Sequence, residues 1–232
     1  IHSLSLRIAS RIKKRYIKEW NPRTEKGNVE WVAHEEELDL SGSDSWMLLS
    51  RSKYLLTRFK KICQQQGRAY KMFGKSSLDT KETRAIISWE SLRKGKTITP
   101  SDVKNLIQYI PNKIDLKDQK NYKFSDLGLP QSAKQYDWMT VLKNIPPDER
   151  EYLRACLHNG EKFGNEPRIT ISTIHQVKGG EADNVALVTD MGTLSWKNMT
   201  SDEEIRVWYV AATRARKNLF LIRPRTIKYF DV

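Results

Sequence analysis

Three apolar runs near the carboxyl end constrain the fold more than any other feature: Arg168–Ile174 (RITISTI), Asn184–Asp190 (NVALVTD) and Asn218–Arg223 (NLFLIR). Each is short and rich in β-branched or leucine side chains, as suits a strand covered on both faces. Between the second and third, Ser201-Asp202-Glu203-Glu204 has the form of a capping box, Ser followed three residues later by Glu, and opens a helix expected to run to about Arg216. The amino-terminal part has the same alternation. Ser5–Trp20 reads as an amphipathic helix with Ile8, Ile12 and Tyr16 four residues apart, and Asn28–Ala33 and Ser45–Ser50 read as strands. Tyr54–Gln66 reads as a helix closed by Gly67, and Ala69–Phe73 as a short strand. Strands alternating with helices imply a parallel α/β sheet.

The middle of the chain breaks this rhythm. Residues 79–94 read as helix, and Thr99-Pro100-Ser101-Asp102 combines a Thr cap, Pro at the first helical position and an acid in the first turn. Residues 111–135 are polar and irregular, and Pro146-Pro147 opens a helix to about His158. The expected organisation is therefore one α/β domain over residues 1–75 and 166–232, interrupted by a mostly helical insertion over residues 76–165. A chain of 232 residues can bury a real core, and its two cysteines, Cys63 and Cys156, cannot staple it; they are expected as buried thiols in a reducing compartment. No apolar run approaches the roughly 18 residues that cross a bilayer. The first twenty residues alternate apolar with basic and contain no signal-peptide core. The opening Ile suggests a fragment or a processed chain.

Charge narrows the function classes. Lys and Arg number 41 against 28 Asp and Glu, a formal net charge of +13. Folding does not need that excess, so a polyanion is the expected partner, nucleic acid before an acidic membrane surface, with solubility as the bland alternative. Residues 51–75 hold eight basic residues and no acidic one, whereas residues 30–44 hold six acidic residues and no Lys or Arg. Within the basic block, Gly67 to Ser76 imitates a phosphate loop. Six residues separate Gly67 from Gly74, where the cradle needs four, so the segment is expected to be a strand ending in a turn. No other stretch supplies a Walker lysine.

Two segments of the tail carry chemistry. In Thr173-Ile174-His175-Gln176-Val177-Lys178-Gly179-Gly180-Glu181, Thr173 and His175 can donate to phosphate oxygens and Lys178 adds a cation. Gly179 and Gly180 allow backbone N–H groups to approach an anion, and Glu181 can accept from a sugar hydroxyl. Loops at strand carboxyl ends are where parallel sheets hold ligands. A plain polar loop with a capping His and a Gly-Gly turn fits the same residues. In Glu204 to Arg216, Ile205, Trp208 and Ala212 share one helical face, while Arg206, Thr213 and Arg214 are polar. These arginines are either a surface salt-bridge set or include one delivered to a transferring phosphoryl group.

Taken together, order and spacing make the two segments resemble motifs V and VI of the superfamily 1 DNA helicases of the UvrD/PcrA/Rep type, which read roughly T-x-H-x-x-K-G-L-E-F-x-x-V and E-R-R-L-x-Y-V-A-x-T-R-A. Residues 45–75 resemble the motif IVa region, and Leu4-Ser5-Leu6-Arg7 a remnant of motif IV. The resemblance implies a RecA-like second motor domain of an ATP-dependent DNA helicase or translocase, with ATP and Mg²⁺ held mainly by an upstream RecA-like domain of the same protein. It implies that Arg214 reaches the γ-phosphate with Arg7 as its companion, that Gly179 approaches the γ-phosphate, and that Glu181 contacts the ribose side. Thr173, His175 and Arg51 would grip the backbone of single-stranded DNA or of a single-strand/duplex junction, with Lys178 linking the two sites. Lys178-Gly179 favours the 3′→5′ branch. The sequence departs from the pattern at Gly180 and Ala182 (usually Leu and an aromatic), at Ile205 (usually Arg) and at Leu6 (usually Tyr). The resemblance further implies a cytoplasmic, nucleoid-associated protein of DNA repair or replication, with no membrane partner and no activity in the isolated chain. The competing expectations are a non-catalytic nucleic-acid-binding domain and a partner-docking domain of a degenerate helicase. His2, His34 and His158 lack metal-ligand spacing, so no metal site is expected.

Overall fold

The structure, a computed structural model, describes residues 1–16, 24–177 and 179–232. These form two compact units, Ile1–Ser76 with Glu166–Val232, and Ser77–Asn165. The first unit is a seven-stranded sheet built from β1 (Asn28–Val32), β2 (Trp46–Ser50), β3 (Tyr70–Met72), β4 (Lys75–Ser76), β5 (Ile169–Thr173), β6 (Ala182–Val188) and β7 (Ala215–Ile222). The spatial order is β1-β7-β6-β2-β5-β3-β4, and only β4 runs antiparallel to its neighbour. The central strands are the apolar ones, because a parallel sheet flanked by helices is covered on both faces. Leu48, Leu49, Ile171, Val185, Leu187, Leu219 and Leu221 are fully buried. Helices α1 (His2–Ser10) and α8 (Asp202–Ala212) pack on the sheet through Ile8, Ile205 and Trp208, joined by Phe230, which stacks on Trp208 with ring centroids 4.6 Å apart. Helix α2 (Leu56–Gln65) buries Leu56, Phe59, Ile62 and Cys63 against β2 and β5.

The register sets what lies at each edge of the sheet. Ser50 lies level with Thr173 and with Val188, so the strand carboxyl ends line one edge. The starts of β6 and β7, Ala182 and Ala215, pair at the other.

Local signals account for most elements, and the departures have physical causes. The amino-terminal helix ends at Ser10, not Trp20. The N–H groups of Lys13 and Lys14 donate to the Asp202 carboxylate, each at 2.8 Å, which draws the chain out of helical geometry while Ile12 still reaches the core. Residues 17–20 of that expected helix lie outside the described residues. Helix α8 stops at Ala212 rather than Arg216, because β7 begins its pairing with β6 at Ala215. Thr213 and Arg214 are left as a two-residue link at the sheet edge. Only half of the expected capping box forms: Ser201 Oγ accepts from the Glu204 N–H at 3.2 Å, but the Glu204 carboxylate is engaged elsewhere. The imitation phosphate loop is a helix stop at Gly67 (φ 57°), then β3, a two-residue turn Phe73-Gly74 and β4. The short strand β4 and the one-turn helix α7 (Thr193–Lys197) lack a sequence signal of their own.

The second unit contains α3 (Lys81–Arg93), α4 (Pro100–Leu106), α5 (Trp138–Val141) and α6 (Pro147–His158). Thr80 and Thr99 cap the first two helices by accepting from the N–H groups of Thr83 and Asp102. Ile86, Trp89, Leu92, Val103, Leu106, Leu153 and Cys156 form its core. Tyr109 donates to Glu82 Oε1 at 2.8 Å, and burial followed by that bond pushes its phenol up to about 12. Both cysteines are buried thiols. Among the described residues no helix is long and apolar enough to cross a membrane.

Candidate functional site

Arg214 owes its position to the abrupt junction between α8 and β7. Its guanidinium is half-buried and is held by neutral oxygens only: Nε donates to Val210 O at 3.0 Å, one terminal nitrogen to Gly180 O at 3.0 Å and the other to Thr213 Oγ1 at 3.1 Å. Among the described residues no carboxylate pairs with it. A fixed, partly desolvated cation without a counter-ion is poised for an anion, since hydrogen bonds to charged acceptors are about twice as strong as neutral ones. Arg214 opens onto a cavity of about 390 Å³ lined also by His2, Tyr209, Thr213, Arg216 and Glu181. Glu181 accepts from Arg216 Nε at 3.1 Å at its rim. Gly179 takes a left-handed φ of 88°, as a turn glycine must. Gly180 is cramped for a different reason: a Cβ there would meet Met47 Cε at 2.8 Å, so Met47 fills the space that a leucine at this position would occupy.

The opposite edge collects Thr173, His175 and Arg51. Thr173 is buried and donates to Gln176 Oε1 at 3.1 Å, and Ser172 Oγ approaches the same oxygen at 3.4 Å. His175 is exposed at the tip of the 3₁₀ turn Ile174–Val177. Partial desolvation by its neighbours, and next the nearby Arg51 charge, hold its imidazole below the usual value of 6.5, with Glu204 opposing. Arg51 follows β2 directly and forms a two-pronged bridge to Glu204, Nε–Oε1 2.7 Å and Nη2–Oε2 2.9 Å. Glu204 is buried, also accepts from Trp208 Nε1 at 3.1 Å, and sits in the first turn of α8, where the helix dipole favours an anion. Arg51 is therefore neutralised where it stands rather than a free cation at the surface.

The loop, one polar segment by its residues and two linked sites by the resemblance, runs between two edges. The eight residues 174–181 leave the carboxyl end of β5 and re-enter at the start of β6, crossing the full strand height, about 13 Å for five residues. Thr173 and His175 stay at one edge, while Gly179, Gly180 and Glu181 join Arg214 at the other. Lys178 lies outside the described residues. Arg7 is not among the residues lining the cavity beside Arg214; it donates to Val232 O at 2.6 Å. Arg58, from the basic block, is also structural, donating to the buried carboxylates of Glu35 (3.2 Å) and Asp190 (3.0 Å), where Arg225 joins it. Sequence reasoning missed Gln176, Tyr209 and the Glu204 partner of Arg51. Gln176, three residues after Thr173, carried a helix-spacing signal for its hydrogen bond; the other two became visible only in three dimensions. Among the described residues no group of three or more His, Cys, Asp or Glu side chains is arranged to hold a metal ion.

A parallel sheet flanked by helices, with a neutral-held arginine at one edge and a Thr/His/Arg set at the other, defines a RecA-like α/β domain. The sequence matches the family of the UvrD-like helicase C-terminal domain over residues 16–226, and the chain belongs to that family. No curated protein matches it.

Proposed function

We propose that this chain is the second motor domain of an ATP-dependent DNA translocase or helicase, acting on a nucleotide bound by a first RecA-like domain outside these 232 residues. The observation that carries the proposal is Arg214, a half-buried guanidinium whose bonds all go to neutral oxygens beside Glu181. When γ-phosphate oxygens approach, Arg214 exchanges its bond to Gly180 O for a charged acceptor and stabilises the charge that develops in transfer. Glu181 accepts from the ribose side, and Gly179 lets the backbone come close. The first domain supplies the Walker lysine and the carboxylate that holds Mg²⁺.

The same exchange couples the two edges. Gly180 begins to move when Arg214 lets go of its carbonyl, and the short crossing hands that movement through Lys178 to His175 and Thr173. Those two residues hold single-strand phosphates and change their grip as the cycle turns, and Arg51, paired with Glu204, would join them only by leaving that carboxylate. Lys178-Gly179 supports 3′→5′ movement. Arg7, committed to Val232 O, would act as a companion cation only by leaving that carbonyl. The helical unit Ser77–Asn165 takes the place of the family's accessory subdomain, and the setting is nucleoid-associated DNA repair or replication.

The test is ATP turnover stimulated by single-stranded DNA, with the P-loop-bearing domain present. Arg214→Ala is expected to lower turnover by about 10³–10⁵. Near-normal turnover in that variant would overturn the assignment.

A further inference from the structure

The turn between β3 and β4 holds a residue that the turn itself disfavours. Phe73 and Gly74 are its two central residues, and both have positive φ, 50° and 80°. Turns of this form favour Asn-Gly, and a bulky side chain in the left-handed region is strained. Burial does not compensate, since Phe73 is 51% exposed. Backbone strain of this kind clusters at ligand-binding and switch sites.

Its surroundings indicate what it meets. Phe73 follows Met72, which pairs with Ile171, so it stands level with Ser172 and one strand away from Thr173. From the other side of β5, Lys53 reaches over it, Nζ 5.9 Å from the ring centroid. Tyr54, beside Lys53, is 61% exposed. The Thr173–His175 segment is thus flanked by a half-exposed aromatic ring with a cation over it.

We infer that Phe73 is a stacking platform for a nucleobase of a single strand, with Lys53 holding an adjoining phosphate. This rests on the strand-binding reading of the Thr173–His175 edge. Stacking on an aromatic is sequence-tolerant because every base has a π-face, as a processive track needs.

The experiment measures binding of oligo(dT), and of an equally long strand with abasic sites, to the wild-type chain and its variants. Phe73→Asn is expected to weaken oligo(dT) binding about 5- to 150-fold, the equivalent of one lost stack, and to leave abasic binding unchanged. The same substitution relieves the turn and should raise Tm by about 2–4 °C. Phe73→Trp should retain oligo(dT) affinity. Unchanged oligo(dT) affinity in Phe73→Asn, with His175→Ala weakened, would overturn this inference alone. Absence of strand binding by the wild-type chain would overturn it together with the strand-binding reading.

Discussion

Glu204→Gln is the substitution whose outcome follows most closely from geometry. The carboxylate is 6% exposed and accepts from Arg51 twice, at 2.7 and 2.9 Å, and from Trp208 Nε1 at 3.1 Å. Glutamine keeps the shape and can still accept from Trp208, but it turns an amide donor toward the Arg51 fork. Breaking a buried pair by neutralising one member costs about 3–5 kcal/mol. Arg51 is 22% exposed and can recover some hydration, which moves the value to the low end. Loss of a charge near the start of α8 adds about 0.3–1 kcal/mol. A net loss of about 3 kcal/mol corresponds to a Tm lower by about 6–12 °C for a chain of this size. Urea and thermal unfolding followed by far-UV circular dichroism would read it. In a cycle with Arg51→Met, the double variant should be more stable than the summed single losses by about 1.5–3 kcal/mol. A Glu204→Gln loss below about 1 kcal/mol, or additivity in the cycle, would refute the buried pair and return Arg51 to the surface as a free cation.

Other outcomes follow from the same contacts. Ser201→Ala removes the acceptor for the Glu204 N–H and should destabilise by about 1 kcal/mol in thermal unfolding. Gly179→Ala forces a Cβ into a left-handed position and should destabilise by about 1–2 kcal/mol in urea. His175 is held below its unfolded value, so its contribution to stability is full above that value and is lost as pH falls through 6.5 toward the folded value. Its protonation adds a cation to the strand edge, so oligo(dT) affinity should rise from about pH 7.5 to about pH 5.5, and the rise should vanish in His175→Gln.

What the sequence made legible was local. Helix starts at Thr99 and Ser201 are set by a cap within three residues, and the buried strands by their apolar content. The end of α8 was not legible, because no Gly or Pro follows Ala212 and Thr-Arg-Ala-Arg can continue a helix; pairing of Ala215 with Ala182 ends it. The division of the 173–181 loop between two sites came from the resemblance and not from the residues themselves, because it depends on the order β6-β2-β5, a property of the whole sheet. The partner of Arg51 is 153 residues away in sequence, and no spacing rule reaches it. The strain at Phe73 needed the register of the β3–β4 turn, without which a phenylalanine before a glycine is unremarkable.

The most direct test of a motor domain with fuel at one sheet edge and strand at the other pairs two variants in the protein carrying both motor domains. Single-turnover γ-phosphate release and oligo(dT) affinity are measured for Arg214→Ala and His175→Ala. The expected result is a release rate lowered about 10³–10⁵-fold with strand affinity within about twofold for Arg214→Ala, and weakened strand affinity with release retained in the absence of strand for His175→Ala. Loss of both properties in both variants, or release untouched in Arg214→Ala, would contradict it.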